Sequence, residues 1–325
     1  MPQRTVLPRP PCLSADWQPE ASPSSIDDGL VHIAFFDDRH QPNVRGMLRA
    51  AHRANGSHVR FHAILSRPIQ VPGMRVTLLR LPTLAQCLYD GLRAISHGPG
   101  PHYLAKPLLH LLLPHAVQRL ILLDTDVVVL RDLRDVLAEW HRDAPESVVG
   151  IADEQSRYYQ KGSGGRLVGK NGGVQLLNLE AMRASGEYMR SLDRYASGSD
   201  GRWIGWLGDQ TLYTFLSSDR PALVYRMGCE WNRQLNTLFG WDPSLHHCPR
   251  RCGIIHANNA NTIRCVASMM QRDPSCRRWR AFQRALVAPG PGDTNRSCVH
   301  LSQRKAAEFG HAIGRFFGDC CVPDA

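Results

Sequence analysis

Short apolar runs alternate with amphipathic stretches over most of the chain. The runs that predict strands cover residues 30–36, 58–65, 74–79, 119–123, 148–152 and 173–177. Helical spacing of apolar residues is found in 42–54 and 84–95, and Lys106-Pro107 opens a further leucine-rich helix, with Pro107 at its first position. Strands and helices that alternate in this way predict an α/β domain with a largely parallel sheet.

The two ends of the chain depart from this pattern. Residues 1–28 are rich in Pro, Ser and Asp and lack the apolar stretch of a secretory signal, so we expect a stem or a disordered leader. The segment APGPGD predicts a boundary, which leaves one domain over 29–287 and a C-terminal tail with one short helix over 288–325. No apolar run approaches the roughly 18 residues that span a bilayer, so attachment to a membrane would need an anchor that this sequence does not contain.

Composition narrows the choice of partners and compartments. The 325 residues carry 39 Lys and Arg against 29 Asp and Glu, a net charge of +10, but the arginines are scattered among acidic residues. Such a distribution is typical of a solvated surface, and we expect no nucleic-acid partner.

Eight of the 10 cysteines lie from Cys229 onward, which favours disulfides in an oxidising compartment, and sequons at Asn55 and Asn295 agree with this. A reduced cytosolic protein is the alternative.

The segment ILLDTDVVVL carries the clearest chemistry. Asp124 follows a buried strand, and residues two apart in an extended chain point the same way, so Asp124 and Asp126 are expected to converge on one divalent cation while Thr125 faces the other side. The carboxyl edge of an open α/β sheet is also where ligands bind. The alternative is a strand end with two solvated aspartates.

Two classes of enzyme use such an aspartate pair. One transfers a sugar from a nucleotide-sugar whose diphosphate is bridged by the metal, and the other is the haloacid-dehalogenase type of phosphohydrolase. The second needs a downstream Gly-Asp-x-x-x-Asp, and the best candidate here, which starts at Gly208, ends in Tyr213. The phosphohydrolase is therefore the second choice. A dinucleotide enzyme is less favoured, because no G-x-G-x-x-G follows the first strand.

Seven segments, taken in order, resemble glycosyltransferase family 8. The closest resemblance is to the glucoside xylosyltransferases, and the next is to the xylosyltransferase domain of the LARGE type. The segments, spread over about 30–285, are VHIAFFDD, LAKPLLHLLLP, LDTDVVVLRDLRDV, NGGVQLLNLEAMR, LGDQTLY, GCEWN and CGIIHANN. The resemblance implies a GT-A fold, that is, a Rossmann-like, mostly parallel sheet flanked by helices. It also implies a UDP-sugar donor, a Mn²⁺ cofactor, a glycan or glycoprotein acceptor and retention of anomeric configuration, with xylose as the favoured sugar.

The resemblance also assigns roles to individual residues. Asp124, Asp126 and His256 look like the metal ligands, and two carboxylates with an imidazole suit a first-row ion such as Mn²⁺. Asp209 and Gln210 match the catalytic Gly-Asp-Gln motif. Asp209 would hold the donor sugar or the acceptor hydroxyl, or act as a nucleophile, and Gln210 would lie beneath the anomeric carbon. Attack from the leaving-group face is favoured over a covalent intermediate.

The donor-binding candidates are scattered along the chain. They are Lys106, Asn171, Gly172, Gly173, Thr125, Phe35 and Asp37. Lys106 would offer a point charge to a phosphate or to the sugar. Gly172 stands where the resembling motif Asn-Ser-Gly-Val has serine, so a contact from that hydroxyl is absent.

Other features depart from the family pattern or leave alternatives open. No lysine follows His256 until Lys305, so the diphosphate needs another partner, for which Arg264 is one candidate. Cysteines 229, 248 and 252 fall near those of the xylosyltransferases, which favours disulfides and a Golgi or other secretory-pathway lumen, but a zinc site formed by Cys248 and Cys252 with the adjacent histidines stays open. A catalytically inactive, glycan-binding domain is the non-enzymatic alternative.

Overall fold

The structure is a computed structural model, and it describes residues 8–19, 29–36, 42–66, 75–96, 101–155, 167–202, 207–234, 248 and 250–256. Predictions for Asp37, for Arg264 and for the tail over 288–325 concern residues outside these ranges. The boundary at 287/288 therefore stays a prediction.

Within the described residues the chain alternates between strands and helices. The strands are β1 (Val31–Phe36), β2 (Val59–Leu65), β3 (Arg75–Leu78), β4 (Arg119–Leu123), β5 (Val127–Val129), β6 (Val149–Asp153), β7 (Lys170–Asn178), β8 (Val224–Met227), β9 (Arg233–Gln234) and β10 (Ile254–His256). The helices are α1 (Pro42–Asn55), α2 (Thr83–Ala94), α3 (Pro101–Ala105), α4 (Leu109–Leu112), α5 (Leu133–Asp143), α6 (Leu179–Ala184), α7 (Gly186–Ser197) and α8 (Asp209–Asp219). Single 3-10 turns lie at Gly56–His58, Lys106–Leu108, Pro221–Leu223 and Cys229–Asn232.

In the part of the chain that the structure describes, seven strands form the main sheet, in the order β3-β2-β1-β4-β7-β6-β8. Only β7 runs against its two neighbours, and the remaining pairs are parallel. The predicted mostly parallel sheet is therefore confirmed. Since β4 and β6 run in the same direction, their carboxyl ends meet at one edge of the sheet, where such sheets place ligands. A second, small sheet has the order β5-β10-β9.

Helices cover both faces of the main sheet. Successive side chains of a strand point to opposite sides, so neighbouring residues pack against different helices. Ile33 of β1 belongs to the apolar cluster that includes Met47 of α1 and Trp140 of α5. Its neighbour Ala34 belongs to the cluster that includes Leu92 of α2 and Leu192 of α7. The sheet is thus the middle layer of three, which accounts for the long apolar runs of its strands.

The prediction that a helix starts at Lys106-Pro107 was wrong. The chain is already helical from Pro101, and Lys106–Leu108 is a 3-10 turn between α3 and α4. Pro107 has no N–H to donate and its ring would collide with the carbonyl of Tyr103, so it interrupts a helix here. This turn matters to the site because its first residue, Lys106, donates a hydrogen bond to Asp124 at the sheet edge.

Residues 8–19, within the predicted leader, lie against α2 and α7. A disulfide joins Cys12 to Cys87 of α2, and the Cys12 amide donates a hydrogen bond to Asp193 Oδ1 at 2.6 Å. The Arg9 amide donates to the Ser197 carbonyl at 2.8 Å. Trp17 packs against the apolar core. This segment is therefore attached to the domain both covalently and by packing, while the boundary at 28/29 stays a prediction.

Among the described residues, no helix is both long enough and apolar enough to cross a bilayer.

Candidate active site

Asp124, Asp126 and His256 converge where β4 ends. Asp124 follows β4, and its amide donates to the Gly173 carbonyl of β7 at 2.9 Å. His256 ends β10, which pairs antiparallel with β5 and places His256 opposite Val127, next to Asp126. His256 Nε2 lies 3.4 Å from Asp126 Oδ1 and 3.9 Å from Asp124 Oδ2. One ligand atom from each residue lies within 4.8 Å of the others, so the three can hold one cation.

The two aspartates meet for a reason other than the predicted one. Asp124 to Asp126 is a turn and not an extended strand, and the residues after it enter the small sheet. The prediction that a shared strand face brings the two carboxylates together was therefore wrong, although they do come together. Thr125 lies at the tip of this turn and is half-buried.

Hydrogen bonds fix the imidazole of His256. Its Nδ1 lies 3.0 Å from Asn171 Oδ1, which also accepts from the Gly173 amide at 3.1 Å and from Asn232 Nδ2 at 2.9 Å. Because an amide oxygen only accepts, Nδ1 carries a proton and Nε2 faces the carboxylates. Burial lowers the pKa of His256, but the charges of Asp126 and Asp124 outweigh it, so the pKa is raised. The two carboxylates thus favour positive charge beside Nε2, whether a proton or a cation supplies it.

Two glycines permit the close approaches in this region. A Cβ on Gly173 would overlap the His256 ring, and a Cβ on Gly172 would lie 2.6 Å from Asp209 Oδ2. The serine of the resembling motif would therefore collide with Asp209 as it is placed here. Both glycines lie in β7 beside the aspartate pair, in the segment where donor contacts were predicted.

Lys106 lies between the two groups of carboxylates. Its Nζ donates to Asp124 Oδ1 at 2.8 Å and to the Gly172 carbonyl at 3.1 Å, and it lies 3.7 Å from Asp209 Oδ2. The residue is only 2% exposed. Burial lowers the pKa of Lys106, but Asp124 and Asp209 outweigh it and the pKa is raised, so the ammonium stays charged. Lys106 therefore links a candidate metal ligand, Asp124, to the predicted catalytic carboxylate of Asp209.

Asp209 is a buried carboxylate at the first residue of α8. It is 1% exposed, and its Oδ2 accepts a 2.6 Å hydrogen bond from Gln175 Nε2. Burial raises the pKa of Asp209 to about 6, although the charge of Lys106 opposes the increase. Gly208 is the N-cap residue, so Asp209 does not itself cap the helix.

Gln210 joins a hydrogen-bonded group that the sequence did not indicate. Its Nε2 donates to Glu154 Oε2 at 2.8 Å, and its Oε1 accepts from the Gly172 amide at 3.3 Å. Glu154 Oε2 also accepts from Asn171 Nδ2 at 3.0 Å. The sequence reasoning missed Glu154, Gln175 and Asn232. The rule that found Asp124 would have found Glu154, because it directly follows β6 as Asp124 follows β4.

Two predicted donor contacts, Phe35 and Asp37, gain no support from the described residues. Phe35 is 1% exposed and packs in the core with α1, so the structure gives it a packing role. Asp37 lies outside the described residues. Their contacts with the donor stay predictions.

The cysteines of the last third exclude one alternative. Cys229 and Cys248 are joined in a disulfide, so neither is a thiolate, and the predicted zinc alternative that used Cys248 was wrong.

The side chain of Asn55, in the first sequon, is held inside the fold. Asn55 is 3% exposed, its Nδ2 donates to the Ala51 carbonyl and its Oδ1 accepts from the Leu133 amide. This first sequon is therefore not an accessible glycosylation site in the folded chain.

The fold and this edge of the sheet define a class, the GT-A glycosyltransferase fold, as predicted. The chain superposes on the crystal structure of mouse xyloside xylosyltransferase 1 in its apo form with a TM-score of 0.56 and 22% identity, over 70% of this chain and 97% of that one. It superposes on galactosyltransferase LgtC, solved with donor and acceptor sugar analogues, with a TM-score of 0.52 and 13% identity, over 90% and 98% of the two chains.

Sequence comparison agrees with the superpositions. The chain is 33% identical to human xyloside xylosyltransferase 1 over 154 residues, which are 40% of this chain and 38% of that protein. It is 29% identical to human xylosyl- and glucuronyltransferase LARGE1 over 207 residues, 57% of this chain and 26% of that protein. The matches thus span about two fifths or less of these relatives, and no family model matches the chain. The predicted resemblance to family 8 glycosyltransferases is confirmed.

Proposed function

We propose that the chain is a retaining, Mn²⁺-dependent glycosyltransferase that moves a sugar, with xylose favoured, from a UDP-sugar to a glycan or glycoside acceptor. The observation that carries the proposal is the convergence of Asp124, Asp126 and His256 beside buried Asp209 and Gln210. The names of the relatives support the choice of donor sugar, since both mention xylosyl transfer.

The donor set supports a first-row divalent ion. Two carboxylate oxygens and an imidazole nitrogen suit Mn²⁺, and a tautomer fixed by Asn171 is the usual arrangement behind a metal-binding histidine. When bound, such an ion supplies Lewis-acid stabilisation to the diphosphate leaving group. Lys106 keeps Asp124 in position through its 2.8 Å hydrogen bond and adds positive charge next to the site.

The surroundings of Asp209 favour attack from the leaving-group face. A nucleophilic carboxylate must reach the anomeric carbon, but Asp209 Oδ2 already accepts from Gln175 and lies 3.7 Å from Lys106. At 1% exposure this carboxylate is largely enclosed by protein atoms. In this proposal Asp209 holds Gln175 and Lys106 in place, and the half-buried Gln210 would contact the sugar.

The disulfides support a secretory-pathway location. Cys12–Cys87 and Cys229–Cys248 are typical of proteins that fold in an oxidising compartment, which favours a Golgi-type lumen over the cytoplasm. The predicted haloacid-dehalogenase alternative gains no support, because Tyr213, where that class needs a carboxylate, is a fully buried core residue.

A panel of UDP-sugars tests the proposal. With Mn²⁺ present, we expect release of UDP from UDP-xylose to exceed that from UDP-glucose and UDP-galactose, and expect chelation to stop it. Asp126→Ala should abolish the reaction and leave the fold intact. The control Asp143→Ala, at an exposed ion pair with Arg142, should not change the rate of the reaction.

Activity that survives in Asp126→Ala would refute the metal site. No turnover and no Mn²⁺–UDP binding by calorimetry would favour an inactive binding domain, and phosphate release without any nucleotide-sugar would favour the phosphohydrolase.

A further inference from the structure

Glu154 occupies a junction between three segments of the site. It directly follows β6, and its amide donates to the Gly169 carbonyl, next to the start of β7, at 2.8 Å. Its Oε2 accepts from Gln210 of α8 at 2.8 Å and from Asn171 of β7 at 3.0 Å. A single carboxylate oxygen therefore joins the ends of β6, β7 and α8.

We propose that Glu154 is a positioning residue for sugar transfer, which acts by fixing the side-chain amide of Gln210 and, to a smaller extent, that of Asn171. The expected effect on catalysis rests on the proposed function. The hydrogen bond by which Glu154 orients Gln210 does not depend on it.

The orientation of Gln210 depends chiefly on Glu154. The contact of Gln210 Oε1 with the Gly172 amide is long, at 3.3 Å, whereas its Nε2 contact with Glu154 is 2.8 Å and charge-assisted. A rotation that exchanged the two ends would bring the amide oxygen against the carboxylate and the NH₂ group against the N–H of Gly172. The hydrogen bond to Glu154 therefore fixes the plane of the Gln210 amide and with it the direction of its second N–H.

Asn171 depends on Glu154 much less. Its Oδ1 accepts from the Gly173 amide, from Asn232 and from His256, so three donors hold its orientation without Glu154. Loss of Glu154 should consequently disturb Gln210 while His256 stays oriented. This difference separates a positioning role from a general loss of structure at the sheet edge.

Kinetics of a variant series test the role. We expect Glu154→Ala to lower kcat by roughly 10- to 100-fold, the size of loss typical when a group that orients a functional side chain is removed, with much less change in the KM for the UDP-sugar and in the affinity for Mn²⁺. Glu154→Gln keeps an acceptor oxygen and should restore part of kcat. If Glu154 acts through Gln210, the double variant with Gln210→Ala should be no slower than Gln210→Ala alone. Additive losses would overturn the proposal.

The neighbouring residue Asp153 offers a matched control. Its carboxylate binds Lys170 Nζ at 2.6 Å and Arg226 Nε at 2.7 Å and contacts neither amide. Asp153→Asn should lower thermal stability but leave kcat within a small factor of wild type. A fall in kcat equal to that of Glu154→Ala would show that any damage to this strand end has the same effect, and would overturn the proposal.

A spectroscopic measurement decides the geometry without any activity. In chain labelled with ¹⁵N-glutamine, the side-chain NH₂ signal that disappears in Gln210→Ala should shift in Glu154→Ala and stay in place in Asp153→Asn. An unmoved signal in Glu154→Ala would overturn the inference. If wild-type chain turned over no nucleotide-sugar, the proposed function would fail, and this signal alone would still decide whether Glu154 positions Gln210.

Discussion

The contact between Gly173 and the His256 ring gives the sharpest test of the metal site. The backbone of Gly173 does not adopt a left-handed φ, so alanine fits its conformation without strain. The effect of Gly173→Ala is then confined to the added methyl group, which would overlap the imidazole that faces Asp124 and Asp126. The variant displaces a ligand without changing its identity.

The structure sets the least displacement. The added Cβ would lie 2.5 Å from Nε2 of His256, and nearer still to two other ring atoms, whereas real Cβ contacts stay beyond 3.0 Å. Nε2 must therefore move by at least about 0.5 Å, and the two nearer ring atoms by more. Metal–ligand distances tolerate only about 0.2 Å, so His256 is lost or weakened as a ligand. We expect roughly 10- to 100-fold weaker Mn²⁺ binding, comparable to the loss of a residue that orients a ligand.

Calorimetric titration with Mn²⁺ in the presence of UDP measures the loss. Gly186→Ala is the matched control, because its Cβ would meet only the flexible guanidinium end of Arg190, at 3.0 Å, and it should bind Mn²⁺ as wild type does. Thermal unfolding of both variants checks the fold. Wild-type affinity in Gly173→Ala would refute either the placement of the His256 ring or its role as a ligand.

Three further predictions concern the stability of the metal-free chain, measured in the presence of a chelator. Lys106→Met removes the ammonium that lies 2.8 Å from Asp124 and 3.7 Å from Asp209, and should lower the free energy of unfolding in urea by about 3–5 kcal/mol. The pKa of Asp209 is raised from 3.8 to about 6, so its native carboxyl binds protons more tightly than the unfolded one. Stability should therefore fall by about 3 kcal/mol as the pH rises from about 4 to 6, and Asp209→Asn should remove that fall; a variant with the wild-type pH profile would contradict the assignment. Replacing Cys12 and Cys87 together by serine opens a loop of 75 residues and should cost about 4 kcal/mol in the same urea assay.

Local signals predicted the half of the site that lies around β4. An apolar run that ends in Asp124 marks the carboxyl edge of a buried strand, and the structure places that aspartate there. The pairing of β5 with β10 joins residues more than 100 positions apart, so no local pattern could place His256. His256 was predicted only through the resemblance to a family, and its placement beside Asp126 follows from that pairing.

The rest was missed for three different reasons. Glu154 was missed because the strand-edge rule was applied to one strand only, although β6 ends in the same way as β4. The reversal of β7 was not predicted because burial on both faces produces the same apolar run in either direction. The tether from Cys12 to Cys87 was missed because the connectivity of disulfides cannot be read from the spacing of cysteines.

The three candidate ligands belong to two separate sheets. Asp124 follows β4 of the main sheet, whereas Asp126 directly precedes β5 and His256 ends β10 in the small one. A cation held by all three would cross-link the sheets and suppress local opening of β10, which hydrogen exchange of its backbone amides would detect as slower exchange. At a free ion concentration 100 times Kd the stabilisation is about 2.7 kcal/mol. The concentration of the free ion around the protein would then control the rigidity of the chain as well as its catalytic turnover.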